Sequence, residues 1–181
     1  YLQAESTRTP RGKKDSDLLG EALNGVGWSR LLLGKTEEAG PAFALFFRRH
    51  PGHQLVQSAE AGALAAQIEH QRQTIRNILN GEDSRLLVIT GPCSLHDPQS
   101  ALEYGHRLAE LATQLDDKIF IVMRAYVEKP RTTVGWKGIL YDPHLDGSND
   151  IATGLNVSRH LLLDLARLGL PLATELLHPL A

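Results

Sequence analysis

Beyond Ser58 the apolar residues fall into two kinds of pattern, spaced stripes and short unbroken runs, and the two alternate. Leu64, Ile68, Ile75, Ile78 and Leu79 share one face of a helix that Ser58 can cap and that Asn80-Gly81 can end in a left-handed turn. Leu86-Leu87-Val88-Ile89-Thr90 is continuous, which predicts a strand covered on both faces and closed by Gly91-Pro92-Cys93-Ser94. Asp97-Pro98 starts a helix, with the carboxylate as cap and proline in the first turn, and Ala101, Gly105, Leu108, Ala112 and Leu115 form its inward stripe. Ile119 to Met123 predicts a second strand. A helix near Gly154 to Leu168 turns Val157, Leu161, Leu165 and Leu168 inward and ends at Gly169, and Leu172 to Leu177 predicts a third strand. Strands alternating with helices, with polar groups gathered after each strand, are the grammar of a parallel α/β fold.

The first part of the chain lacks this regularity. Residues 1 to 17 have hardly an apolar anchor and read as disordered. Leu18 to Leu33 holds two leucine clusters broken by Gly20, Gly25 and Gly27; Gly25-Val26-Gly27 lacks the third glycine and the preceding strand of a dinucleotide site. Phe43, Phe46 and Phe47 beside Arg48 and Arg49 predict a short amphipathic element that packs on the domain or on a second subunit, since a membrane anchor needs a longer stripe. No chemistry is legible before residue 50. The expected organisation is an N-terminal extension over 1–57 and an α/β domain over 58–181.

Composition narrows the class. With 181 residues, 42% hydrophobic and 22% charged, the chain has the make-up of an ordinary globular domain. A formal charge of -2 gives no field that would draw nucleic acid or a membrane as a whole, so any anion site is local. No apolar run approaches the roughly 20 residues of a bilayer span, no secretory signal is visible, and the one cysteine, Cys93, suits a reducing compartment; a cytoplasmic protein is expected. A start at Tyr1, a single methionine at Met123 and a stop at Ala181 just after a strand-like segment read as a piece of a longer product.

The chemistry gathers where parallel α/β proteins bind ligands, at the carboxyl ends of the strands. Cys93 follows the first strand, Arg124 to Lys137 follow the second, and Glu175 lies in the third. In R-A-Y-V-E-K-P-R-T-T-V-G-W-K-G, four cations (Arg124, Lys129, Arg131 and Lys137) and two hydroxyls (Thr132 and Thr133) suit phosphate, and Pro130 stiffens the turn that carries them. A solvated basic loop is the plainer reading of the same residues. Cys93 admits three roles, as metal ligand, nucleophile or buried small hydrophobe. As the only cysteine, it would need His, Asp or Glu to complete a site for a borderline divalent cation such as Mn, Fe, Co or Zn.

The segments R-L-L-V-I-T-G-P-C-S-L-H-D-P (Arg85 to Pro98), V-M-R-A-Y-V-E-K-P-R-T-T-V-G-W-K-G (Val122 to Gly138) and G-L-P-L-A-T-E-L-L (Gly169 to Leu177) closely resemble the microbial class I type of 3-deoxy-D-arabino-heptulosonate 7-phosphate synthase (DAHP synthase), from about Ser58 to Ala181. Leu95 where that family commonly has Ile, and Ala125-Tyr126-Val127 where it has Val-Tyr-Phe, are mild departures. The resemblance implies a (β/α)8 TIM barrel with an N-terminal extension, here the first three strands of a truncated barrel. The implied activity is the condensation of phosphoenolpyruvate with erythrose 4-phosphate, the first committed step toward the aromatic amino acids, in a homo-oligomer, dimer or tetramer. It further implies that Cys93 is a divalent-metal ligand, that Arg124 and Lys129 hold phosphoenolpyruvate, and that Arg131 and Thr132 grip the aldose phosphate. Lys129 and Arg131 are the expected catalytic pair, and Glu175 matches a carboxylate near the phosphoenolpyruvate site.

The family's other metal ligands, a His, a Glu and an Asp, come from later strands, so the 181 residues alone are expected to be inactive. Residues 1 to 50 match no stretch of the family's usual extension. Two rival classes follow: a related synthase making the eight-carbon 3-deoxy-octulosonate phosphate, and a non-catalytic remnant that pairs with an intact synthase.

Overall fold

Small residues decide how the first helices pack. The computed structural model describes residues 13–129 and 134–175 and divides into two units between Arg76 and Asn77. The first unit holds α1 (Lys13–Leu32), α2 (Thr36–Arg49) and most of α3 (Val56–Leu79). Phe43 of α2 is fully buried between two glycines: a Cβ on Gly27 of α1 would stand 2.6 Å from its ring, and one on Gly62 of α3 would overlap it. Around that ring Leu23, Ala39, Phe46, Ala59 and Ala66 complete the core, and Trp28 meets Phe43 edge-on at 6.0 Å between centroids. Phe43 and Phe46 thus pack within their own helical unit, and no helix among the described residues is long and apolar enough to cross a membrane.

Four expectations for this part are corrected. Residues 13–17 are the first turns of α1 rather than disordered chain, while residues 1–12 lie outside the described residues. The glycines do not break Leu18 to Leu33; Gly20 and Gly27 sit inside one helix because they admit the His53 and Phe43 rings at distances no side chain would tolerate. Ser58 is not a cap, because α3 starts at Val56 and the Ser58 hydroxyl accepts from Trp28 Nε1 at 3.1 Å. Nor is the leucine-isoleucine stripe the buried face of α3. Ala59, Gly62, Ala66 and Thr74 are buried, and Ile68 and Leu79 are exposed, because the facing helix fills the space with phenylalanine.

The second unit runs β1 (Leu86–Thr90), α4 (Pro98–Leu115), β2 (Ile119–Arg124), α5 (Ile151–Arg167) and β3 (Leu172–Ala173). The strands are parallel in the order β1-β2-β3, with Val88 beside Ile121 and Met123 beside Leu172. Both helices start as the side chains dictate: Asp97 accepts from Ser100 N at 2.8 Å, and Asp150 from Thr153 N at 3.1 Å. Gly105 lets α4 approach α5, since a Cβ there would lie 2.7 Å from Leu165. Leu95, Leu108, Met123, Ala125, Ile139 and Leu165 form the core. Gly169, at φ +84°, ends α5 as expected.

Two strand expectations change. β1 is not covered on both faces, since Leu86 and Ile89 are 64% and 59% exposed and β2 is its one partner among the described residues. β3 stops at Ala173, so Glu175 lies just past the strand rather than in it, and residues 176–181 lie outside the described residues.

Candidate functional site

The ends of β1 and β2 are tied together by backbone and guanidinium. Gly91 faces Arg124 so closely that a Cβ would stand 2.5 Å from the Arg124 carbonyl. The Arg124 side chain then turns back over the G-P-C-S turn: Nε donates to Pro92 O and Nη2 to Gly91 O, each at 2.9 Å. Its guanidinium carbon lies 5.3 Å from the centre of the Tyr126 ring, within range of a cation–π contact. One residue further on, Leu95 N donates to Tyr126 O at 2.8 Å. The turn after β1 and the loop after β2 are therefore one construction, held across by three hydrogen bonds rather than by proximity alone.

That construction brings Lys129 to Cys93. Lys129 Nζ donates to Cys93 Sγ at 2.6 Å, and the cysteine is exposed, which removes the buried-hydrophobe reading: a core cysteine is surrounded by apolar atoms. Lys129 is itself held from behind, its amide donating to Lys137 O at 2.8 Å while Leu140 N donates to Val127 O at 3.2 Å. Gly138 is needed for that pairing, since it sits at φ +113° and a Cβ would overlap Val127 O.

The other expected site residues divide. Arg131 and Thr132, with Pro130 and Thr133, lie outside the described residues. Glu175 is half-buried beyond β3, at the same end of the sheet. Arg124, expected to hold phosphoenolpyruvate, gives two of its five N–H groups to the turn. As for a metal, the exposed sulfur fits one coordination position. Among the described residues no group of three His, Cys, Asp or Glu side chains comes together that could complete it.

Sequence reasoning missed Glu128 and Tyr141. Glu128 is 4% exposed. Its Oε1 is buried without a hydrogen-bond partner, and burial first, then the neighbouring Glu128 carboxylate, pushes the Tyr141 phenol above its usual range. The only signal was a glutamate wedged into the basic run, which by itself reads as a solvated counter-charge.

A parallel α/β unit whose cysteine and lysine meet over the carboxyl ends of its first two strands has the layout of α/β enzymes, which carry their sites at that end of the sheet. The chain belongs to the DAHP synthetase I family, whose sequence profile matches residues 59–181. It is 57% identical over 114 residues to the Tyr-sensitive phospho-2-dehydro-3-deoxyheptonate aldolase of Escherichia coli K12, covering 63% of this chain and 32% of that protein. It is 52% identical over 118 residues to the phospho-2-dehydro-3-deoxyheptonate aldolase of Amycolatopsis methanolica, covering 65% and 58%. The solved structure of the aldolase from Francisella tularensis SCHU S4 superposes with a TM-score of 0.59 at 50% identity, over 61% of this chain and 33% of that one. The chain thus spans about a third of the Escherichia coli and Francisella proteins it matches.

Proposed function

We propose that residues 59–181 form the opening part of a (β/α)8 barrel that condenses phosphoenolpyruvate with erythrose 4-phosphate, and that they supply the wall of the site that receives phosphoenolpyruvate. The observation that carries this reading is the Lys129 Nζ to Cys93 Sγ contact of 2.6 Å, which joins the G-P-C-S and K-P-R-T segments at one point. Arg124, braced on the two carbonyls of the turn, offers its remaining donors to a carboxylate or phosphate, and Lys129 offers a mobile point charge beside them. Two phosphorylated substrates repel one another, and fixed cations between them lower the cost of their encounter. Arg131 and Thr132 belong to this reading as grips on the aldose phosphate, and Glu175 as a carboxylate at the rim.

Cys93 would hold a divalent cation (Mn, Fe, Co or Zn) with ligands from beyond the described residues. When bound, such an ion supplies polarisation of the aldehyde carbonyl. The residues described here bind and orient phosphoenolpyruvate so that its C3 faces the aldehyde, and Lys129 is the group placed to move a proton there. The chain by itself forms no product under this reading, whereas a chimera joining it to the remaining two thirds of the Escherichia coli relative makes the heptulosonate phosphate. Phosphoenolpyruvate titrated into the 181-residue chain releases heat that Lys129→Met abolishes. A chain indifferent to phosphoenolpyruvate, together with an inactive chimera, would overturn the proposal. The exposed edge and face of β1 favour one further reading, in which this chain pairs with an intact synthase; co-elution of the two separates that case.

A further inference from the structure

Two hydrogen bonds along one edge of a guanidinium do not fix its plane. Arg124 Nε and Nη2 donate to the successive carbonyls of Pro92 and Gly91, each at 2.9 Å, and about the line through those two bonds the group can still tilt like a flap. A surface against its flat side removes that freedom. Tyr126 supplies one: the Arg124 guanidinium carbon lies 5.3 Å from the centre of its ring, within the range at which the negative face of an aromatic attracts a cation. Residue order places the ring there. Ala125 N still bonds Ala173 O, so the alternation of β2 continues past its end. Ala125 and Val127 turn into the core of the sheet unit, and Arg124 and Tyr126 turn together to the opposite side. The ring is tied in turn to the G-P-C-S segment, because Leu95 N donates to the Tyr126 carbonyl at 2.8 Å.

We infer that Tyr126 is a positioning residue: its ring backs the Arg124 guanidinium and, with the Gly91 and Pro92 carbonyls along one edge, aims the other end of the fork at an anionic ligand. That end carries Nη1 and the second Nη2 hydrogen, which suit a carboxylate or phosphate met by two parallel bonds. The inference rests on the reading of Arg124 as a phosphoenolpyruvate residue and adds what orients it. Tyr126 acts through Arg124, and it acts with the face of its ring rather than with its hydroxyl.

The test has one readout without ligand and one with it. The Nε hydrogen of Arg124, identified in nitrogen–proton spectra of the 181-residue chain by its absence from Arg124→Lys, exchanges slowly with water while it is bonded to Pro92 O. Tyr126→Leu frees the plane. It speeds that exchange and weakens phosphoenolpyruvate binding by calorimetry, each by about fivefold, the factor that corresponds to a cation–π attraction of about 1 kcal/mol. Tyr126→Phe keeps the ring and leaves both at their wild-type values. An exchange rate unchanged in Tyr126→Leu overturns the inference even where affinity falls, because the ring would then meet the ligand itself. Faster exchange with undiminished affinity overturns it too, as does a Tyr126→Phe variant that behaves like Tyr126→Leu, which would give the role to the hydroxyl. Thermal unfolding midpoints are recorded alongside, and should Tyr126→Leu unfold, Tyr126→Met stands in with the same expected shifts. If phosphoenolpyruvate fails to bind wild-type chain while the exchange rates order as stated, the proposed function fails and the brace on Arg124 stands.

Discussion

Gly91 lies against the backbone of Arg124, where an added Cβ would be 2.5 Å from the carbonyl oxygen and 3.0 Å from the amide nitrogen. Both atoms belong to main chain in the middle of the sheet, so neither can swing aside. Gly91→Ala therefore has to part the ends of β1 and β2, at a cost of about 1–3 kcal/mol for overpacking. Because the Arg124 side chain bonds the Gly91 and Pro92 carbonyls, the same shift loosens the turn that carries Cys93. Urea unfolding followed by Trp136 fluorescence, in a Trp28→Phe background, reads the loss; an unchanged midpoint would mean that the strand ends are not in contact.

The parts of this fold that the sequence made legible are those governed by local chemistry. Asp97-Pro98 and Gly169 mark helix ends because a cap or a left-handed turn acts within four residues. The runs at Leu86 and Ile119 mark strands because they are short and unbroken in apolar residues. What escaped was decided by partners distant in sequence. Gly27 and Gly62 look like helix breakers until Phe43 is placed between them. Glu128 looks solvated until Tyr141, 13 residues later, is folded back onto it. At the site, the separate motifs at Cys93 and Lys129 were readable as types, while their meeting depends on Arg124 reaching across to the turn after β1.

Phe43 gives a test of coupling in the helical unit. Gly27→Ala and Gly62→Ala each press on the same buried ring, so each destabilises by about 1–3 kcal/mol, and the double variant costs less than their sum because one displacement of the ring relieves both. With Phe43→Ala in the background the sign reverses. Alanine is favoured over glycine in a helix by about 0.8–1 kcal/mol once the clash is gone, so Gly62→Ala becomes stabilising there. Thermal melts followed by the helical circular dichroism signal measure all of these, and additive losses would show that the two glycines do not share a partner.

Acidification should loosen the same unit. Burial first, then His53 and Arg49, hold the His50 imidazole below its ordinary value of 6.5, with Asp17 opposing them. His50 Nδ1 lies 3.3 Å from Ser16 Oγ of α1, and its ring is 6.2 Å from that of His53. Above pH 6.5 both folded and unfolded forms are neutral at His50 and its burial carries no penalty from charge. As pH falls through 6.5 the unfolded chain takes up the proton first, so stability declines, and it levels off only below the lowered folded value. Unfolding midpoints measured from pH 8 to pH 5 should fall over this window in wild type and flatten in His50→Gln. A midpoint that rises on acidification would contradict the sign.

Arg124→Lys separates bracing from ligand binding. Arg124 spans two carbonyls at once with Nε and Nη2, both at 2.9 Å, whereas a lysine ammonium is a compact point charge on a flexible stem without the fixed spacing of the planar fork. Losing one charge-assisted bond in this half-buried place costs about 1.5–3 kcal/mol, and the positive charge is retained. If the charge were all that an anion needs, phosphoenolpyruvate would bind Arg124→Lys as it binds wild type. Under the proposed reading the fork does two things together: two N–H groups fix the turn and the others face the ligand. Affinity by calorimetry should then drop by about tenfold, equivalent to about 1.4 kcal/mol, in parallel with the loss of stability. A variant that loses stability but keeps full affinity would assign Arg124 to the architecture of the turn alone and leave Lys129 as the cation that meets the substrate.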